Sequence, residues 1–133
     1  MKNRSELREI IMKVIYQIKL FSDSNIDYDL DTLIKEQYDV ENDFINDTVK
    51  GIIKYEKDII KLANKYLTDW TMDRLNKVDQ AIISLGIYEL IYTDIPSVVA
   101  INEAIELSKK YSDEAVTKMI NGVLDKIYHD EGK

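Results

Sequence analysis

Arg4 and Arg8 are the residues of this chain best suited by type and spacing to bind an anion. They lie four residues apart, so on a helix they share one flank beside the apolar stripe that a core would bury. Phosphate contacts in nucleic-acid binding need such cations. Lys2 and Lys13 are less available, because each lies one turn from a glutamate that partly neutralises it. The residues alone nevertheless favour the simpler interpretation, an ordinary solvated helix face.

Four further residues are candidate contacts, and each also has a plainer explanation. Tyr16 is predicted to lie exposed, opposite the apolar stripe; tyrosine often anchors interfaces, but a single exposed one needs no function. Met119 lies at the edge of the apolar stripe of the last predicted helix, where core packing is the simpler role. Lys118 is then an ordinary solvent-facing residue, and Asn121 a hydrogen-bond partner of backbone or of a neighbouring helix.

The sequence contains no arrangement typical of catalysis. It has no cysteine, and His129, its one histidine, has no nearby histidine or cysteine with which to share a metal. It also lacks a glycine-rich phosphate loop. Glu89 is the acid set most deeply among apolar residues, and we interpret it as a structural hydrogen-bond partner. These features predict a protein that is not an enzyme and that has no cofactor or metal.

The charge of the chain is unevenly distributed. The formal net charge is −7, which by itself argues against nucleic acid. Residues 1–20 carry five basic and two acidic side chains, whereas residues 21–47 carry nine acidic and one basic. The first helix is therefore locally basic, and the acidity belongs to the segment after it. No apolar run approaches the roughly 20 residues that span a bilayer, and the charged N-terminus is unlike a signal peptide, so we expect a cytoplasmic protein.

Apolar residues at helical spacing predict one all-α domain, residues 1–133, of about seven helices. The first is expected over residues 5–20, with Met12 and Lys19 on the flank of the two arginines. A short helix at 29–37 follows. A longer pattern from residue 42 onward must break near residues 54–58, because it is too long for one helix in a compact domain.

The second half of the chain predicts a central helix and a helical hairpin. Residues 72–92 are apolar on nearly every side, which places their helix at the centre, with Thr71 as its N-cap and Gly86 allowing a close neighbour. Trp70 is expected to fill the core at its entrance. Residues 101–127 read as two amphipathic helices hinged at 111–113, with a neighbour packed against Gly122.

The particular residues of this hairpin resemble those of a known protein family. Asn102-Glu103-Ala104, followed by residues 121–125, resembles the C-terminal signature of the NusB family of transcription antitermination factors. Further matches occur in the family's order and spacing, so the resemblance covers nearly the whole chain. These matching segments are residues 7–9 together with 14–17, then residues 49–52, then Trp70 together with 74–75, then residues 78–82, and finally residues 88–90.

The resemblance implies both a fold and a function. The fold is two helical bundles packed across each other. The function is to bind the boxA element of nascent ribosomal-RNA transcripts together with NusE, a ribosomal small-subunit protein, within the antitermination complex of RNA polymerase. The implied RNA-binding residues are Lys2, Arg4 and Arg8 near the arginine-rich motif, and Lys118, Met119 and Asn121 on the last helix; the implied NusE contacts are Tyr16 and Asp79.

This chain departs from the family pattern in ways that weaken RNA binding. Asn3, Ser5 and Glu6 stand where relatives often carry basic residues, and Gln80 and Ser84 stand where arginines are common. At 119 a methionine replaces a usual phenylalanine, which could have stacked on a base. We therefore expect weak RNA binding without NusE. The alternative is an acidic helical scaffold that binds proteins and does not contact RNA.

Overall fold

Seven α-helices make up the structure, a computed structural model that describes residues 1–132. A 3-10 turn, Met72–Arg74, precedes the fifth helix, and residues 1–132 contain no strand. The all-α prediction of about seven helices is confirmed. The helices are α1 Arg4–Asp23, α2 Leu30–Gln37, α3 Asp43–Lys54, α4 Glu56–Tyr66, α5 Lys77–Tyr92, α6 Ser97–Tyr111 and α7 Glu114–Glu131.

The helices form two groups that meet at α5. Helix α1 packs against α2 and α3, while α4, α6 and α7 pack around α5, which also contacts α1 and α3. Residues 81–87 of α5 are all buried. A helix that is apolar on every side must lie where neighbours cover each face, and α5 does so. The predicted central helix and the two-bundle arrangement are therefore confirmed.

Gly86 lets the hairpin of α6 and α7 approach α5 closely, as predicted. A Cβ added at this position would lie 3.0 Å from Leu124 Cδ1 of α7 and 3.3 Å from Ala104 Cβ of α6. The corresponding prediction for Gly122 is wrong. This glycine lies on the exposed face of α7, and a Cβ there would have no neighbour within 4 Å.

Helix α5 begins later than predicted, because Thr71 does not cap it. The Thr71 hydroxyl donates to the Asp73 carboxylate, and residues 72–74 form the 3-10 turn. The cap is Asn76, whose side-chain oxygen accepts from the backbone N–H of Asp79 at 2.8 Å. An N-cap oxygen satisfies an amide that the first helical turn leaves free, and Asn76 performs this role.

The two other predicted interruptions are confirmed. Helix α3 ends at Lys54 and α4 begins at Glu56. Helix α6 ends at Tyr111, and α7 begins after Asp113, whose side chain accepts from the backbone N–H of Val116 at 2.9 Å. Within residues 1–132, no helix is both long and apolar enough to cross a membrane.

Candidate nucleic-acid interface and partner groove

The start of α1 presents two cations at the surface, Lys2 just before the helix and Arg4 as its first residue. Lys2 and Arg4 are exposed. The turn is ordered by a capping box: the Asn3 side chain accepts from the Glu6 amide at 2.8 Å, and the Asn3 amide donates to Glu6 Oε1 at 3.1 Å. Such a box satisfies two free amides at a helix start. Lys2 Nζ also lies 4.0 Å from Glu6 Oε2, the predicted partial neutralisation. We call residues 2–4 the cationic turn.

Arg8 does not belong to that surface, and the expectation that it is available to an outside anion is wrong. Its side chain is 4% exposed. Its Nε donates to both oxygens of Glu89, at 2.8 and 3.0 Å, and one Nη lies 3.4 Å from Glu103 Oε1. Helices α5 and α6 cover this flank of α1, so Arg8 joins three helices.

Glu89 fills the structural role that we predicted for it, with Arg8 as its partner. Burial raises the pKa of Glu89, and the hydrogen bond and charge of Arg8 act against that rise. A buried carboxylate needs such a partner, because an isolated charge in an apolar environment is costly. The Arg8–Glu89 pair therefore holds the start of α1 against α5.

The rest of the flank is also more buried than the helical wheel suggested. Met12 is 1% exposed and belongs to the core, while Lys19 is 8% exposed. Burial lowers the pKa of Lys19. By contrast, Lys13 lies 3.6 Å from Glu9 Oε2 in the expected pair one turn apart. A wheel gives the direction of each side chain, but the neighbouring helices decide which directions are covered.

The three candidates on α7 do not share a face. Lys118 and Asn121 are exposed, and Lys118 Nζ lies 3.6 Å from Glu114 Oε1. Met119 is half-buried and packs on the core, in agreement with its simpler interpretation. Met119 instead lines a cavity of about 530 Å³ together with Trp70, Arg74 and Asp79. The structure thus brings Met119 toward a predicted partner residue and away from Lys118.

Trp70 lies at the mouth of this cavity, and its prediction as a core residue is wrong. It is 50% exposed. The preceding residue, Asp69, has a φ of 65°, in the left-handed region that non-glycine residues rarely adopt. In this conformation the chain presents the indole at the surface. The size and apolar character of tryptophan do not predict this exposure.

Tyr16 and Asp79, the two predicted partner contacts, line adjoining depressions. Tyr16 is half-buried, more than expected, and lines a shallow groove with Leu20 and Val78. Leu75 and Asn76 line both this groove and the 530 Å³ cavity. We call these two connected depressions the partner groove. Its surface combines apolar walls with tyrosine and tryptophan, the residue types enriched in protein interfaces.

Asp79 forms part of the wall of the partner groove. It is 3% exposed and accepts a hydrogen bond from the Ser112 hydroxyl in the hinge between α6 and α7. Burial raises the pKa of Asp79, and the bond from Ser112 opposes that rise. In this structure Asp79 shapes the groove by joining α5 to the hinge, while Tyr16 offers the larger accessible surface.

Two aromatic residues beside the cationic turn were missed from the sequence. The Arg4 guanidinium carbon lies 3.9 Å from the ring centroid of Phe44, and Lys2 Nζ lies 5.7 Å from that of Tyr38. In the sequence, Phe44 is simply one apolar residue of the pattern that begins at residue 42. A pairing across about 40 residues leaves no periodic signal, so the packing of α3 on α1 was needed to reveal it.

The fold is all-α, and it presents a cationic turn and a separate apolar groove. These features place the chain in the class of small helical binding proteins. Among residues 1–132, no group of three or more His, Cys, Asp or Glu side chains could hold a metal ion. The NusB family model matches residues 5–129. The chain belongs to the NusB family, and the resemblance noted in its sequence is confirmed.

Individual relatives and structures agree with this assignment. A transcription antitermination protein NusB from Acetivibrio thermocellus is 46% identical over 128 residues, covering 93% of this chain and 87% of that relative. A structure of T. maritima NusB superposes with a TM-score of 0.84 at 30% identity, covering 99% and 94% of the two chains. A structure of antitermination factors NusB and NusE in complex with double-stranded RNA matches with a TM-score of 0.80 at 25% identity, covering 95% and 96%.

Proposed function

We propose that this chain is a transcription antitermination factor that binds boxA RNA together with NusE and supports processive transcription by RNA polymerase. Family membership supports this role, as do the name of the Acetivibrio relative and the similar NusB–NusE complex with RNA. Residues 1–133 would act as one RNA-binding domain in the cytoplasm, where the polymerase works. The role is one of binding and not of catalysis.

The exposed cationic turn is the observation that carries the proposal for RNA. Lys2 and Arg4 lie on a capped, ordered helix start, so their side chains can meet phosphates without first ordering the backbone. Lys118 and Asn121 on α7 would supply further polar contacts. Arg8 would contribute indirectly, since its buried pair with Glu89 holds α1 in position.

The partner groove is the proposed NusE site. Tyr16 would anchor the contact, because a large ring beside apolar walls gives up much surface to a partner at little entropic cost. Asp79 would act from the groove wall, through its bond to Ser112. Met119 and Trp70 line the same depression and would add apolar contacts there.

Weak RNA binding by the isolated protein is the first expected result. The chain carries a net charge of −7, Arg8 is not free, and half-buried Met119 offers no ring for stacking. We expect NusE to tighten binding of boxA RNA by about tenfold or more, because a second surface adds phosphate contacts. Electrophoretic titration of the RNA with and without NusE, repeated over a salt series, measures this.

The titration also has a result that would contradict the proposal. Equal affinity for boxA RNA in the presence and absence of NusE would remove the cooperative role. A scrambled RNA of equal length is the control, because phosphate contacts alone give binding without sequence preference. Binding that is equal for boxA and scrambled RNA in the ternary mixture would exclude a boxA-directed function.

A protein-binding scaffold without RNA contact remains the second candidate. The observation that favours it is that Arg8 is paired with Glu89 and Glu103. An acidic protein thereby has one cation fewer for contact with RNA. The buried position of Arg8 also makes it a poor probe. A charge reversal there would add a third carboxylate to a buried site and unfold the protein, whatever its function.

Substitution of the cationic turn separates the two candidates. In a Lys2→Gln/Arg4→Gln variant with NusE, we expect the slope of log affinity against log salt to fall by about two, since each lost phosphate contact lowers it by about one. NusE binding should not change. Lys61→Gln, which removes an exposed cation on α4, is the matched control. An unchanged slope in the double variant would favour the scaffold.

A further inference from the structure

Arg4 lies over an aromatic ring and has no acid as an ion-pair partner. Its guanidinium carbon lies 3.9 Å from the Phe44 ring centroid, well within the roughly 6 Å over which a cation is attracted to a ring face. Among residues 1–132, no carboxylate oxygen lies within 4.0 Å of its nitrogens, in contrast to Arg8. The charge of Arg4 is therefore directed by stacking and is not neutralised by an ion pair.

The ring that holds Arg4 is itself fixed. Phe44 lies in the first turn of α3, which packs on α1, and its half-buried side chain rests against the core. Asn42 caps this turn by accepting from the Ile45 amide at 3.0 Å. The stacking surface is thus set by the core and by a capped helix start.

Lys2, the other cation of the turn, lies near a second ring, although it also lies beside Glu6. Lys2 Nζ lies 5.7 Å from the centroid of Tyr38, which precedes α3 and also packs on the core. Both cations of the cationic turn are thus placed over aromatic rings of residues 38–44. The Arg4–Phe44 distance is nevertheless the shorter by far, and it is the contact on which the inference rests.

Stacking leaves the useful part of a guanidinium free. The five N–H donors of arginine point outward in the plane of the group, so a ring against one face does not block a phosphate at the edge. A free arginine loses rotamer entropy when it is fixed, and one that already lies over a ring has lost part of that entropy. Phe44 therefore holds the Arg4 side chain in a position from which its guanidinium can bind a phosphate.

We infer that Phe44 is a positioning residue for RNA binding, which fixes the Arg4 guanidinium so that its edge receives a phosphate of the RNA backbone. The inference rests on the proposed function, since it names a residue that serves the same RNA site. Phe44 does not stack on a base in this arrangement. Arg4 covers its face, and Arg8 lies 5.5 Å from the same centroid.

Phe44→Leu tests the inference, because it keeps an apolar side chain on the core but removes the ring face. With NusE present, we expect boxA RNA to bind about three- to tenfold more weakly. The salt slope should stay unchanged, because Arg4 still reaches its phosphate. Phe44→Tyr, which retains the ring, should restore the wild-type affinity. Circular dichroism and thermal unfolding verify that each variant is folded.

A double-mutant cycle with Arg4→Gln identifies the route of the effect. If Phe44 acts through Arg4, Phe44→Leu should have no further effect on RNA affinity in the Arg4→Gln background. Phe21→Leu is the matched control, since Phe21 is a half-buried phenylalanine on α1 that stacks on Tyr28. It should leave RNA binding unchanged.

The outcomes separate this inference from the proposed function. If the wild-type protein with NusE does not bind boxA RNA, the proposed function itself fails. If the wild type binds but Phe44→Leu has no effect or tightens binding, the ring does not prepare Arg4 and the inference is overturned. An effect of equal size in the Arg4→Gln background would also overturn it, because Phe44 would then act directly.

Discussion

Arg8→Met is expected to lower the free energy of unfolding by about 3–5 kcal/mol at neutral pH, the range found when one partner of a buried ion pair is removed. The substitution keeps the apolar volume in place, but it leaves Glu89, which is 1% exposed, without its bonds at 2.8 and 3.0 Å. The unpaired carboxylate must then be buried as an ion or take up a proton. Urea denaturation measures the loss.

The loss should depend on pH in a definite direction. In the wild type, burial raises the pKa of Glu89, and Arg8 opposes that rise. Without Arg8 the folded-state pKa of Glu89 rises further, while the unfolded value stays near the ordinary 4.3 or so. The unfolded-state pKa is the same for both proteins, so the deficit relative to wild type is small below the folded-state pKa of Glu89 in the wild type. It grows as the pH rises from that pKa toward the higher folded-state pKa of the variant, because Glu89 then ionises in the folded wild type but not in the folded variant.

Two companion variants control this prediction. Lys13→Met removes a partly exposed cation of α1, 3.6 Å from Glu9 Oε2, and should cost less than about 1 kcal/mol, as surface pairs do. The double variant Arg8→Met/Glu89→Met should recover much of the loss, because it no longer buries a lone charge. If the double variant were as unstable as Arg8→Met alone, the explanation by an unpaired Glu89 would be wrong.

Gly86→Val is expected to lower the free energy of unfolding by about 2–3 kcal/mol, at the upper end of ordinary overpacking. The Cβ alone would lie 3.0 Å from Leu124 and 3.3 Å from Ala104, and valine adds two methyl groups beyond it. Both neighbours belong to the α6–α7 hairpin, so the hairpin must move away from α5. Chemical denaturation compared with the wild type measures the change.

The same substitution at Gly122 is the matched control. Both glycines lie inside helices, but no atom lies within 4 Å of a Cβ built at Gly122. Gly122→Val should therefore change stability by about 0.5 kcal/mol or less, the usual range for surface sites. Equal losses at the two positions would mean that the close contacts of Gly86 with the hairpin do not set the effect, since helix propensity alone slightly favours valine over glycine.

The fold could be predicted from the sequence more accurately than the exposure of individual side chains, and particular residues show why. The apolar run 81–87 has helical flanks and no polar side, so burial at the centre followed from local information. For Arg8 local information was insufficient. Its direction on the α1 wheel was known, but its exposure depends on Glu89 and Glu103, which lie 81 and 95 positions further along the chain.

Some residues have two plausible roles when only the local sequence is considered, and the folded chain shows which role each one takes. Thr71 and Asn76 are both good N-cap residues, and the structure caps α5 with Asn76 because the Thr71 hydroxyl is bonded to Asp73. Trp70 is large and apolar, as core residues often are, yet it is 50% exposed and follows Asp69, whose backbone is left-handed. The stacking of Arg4 on Phe44 likewise required the relative placement of two helices.

Helix α5 determines how the two ligands would influence each other. Asp79 lines the partner groove and Glu89 holds the start of α1; ten residues apart on one helix, they are separated by about 15 Å along its axis. The helix between them is buried along nearly its whole length, so we expect it to act as a stiff spacer. Cooperation between NusE and RNA would then arise from their simultaneous contact on a preformed surface, and not from a conformational switch within this protein.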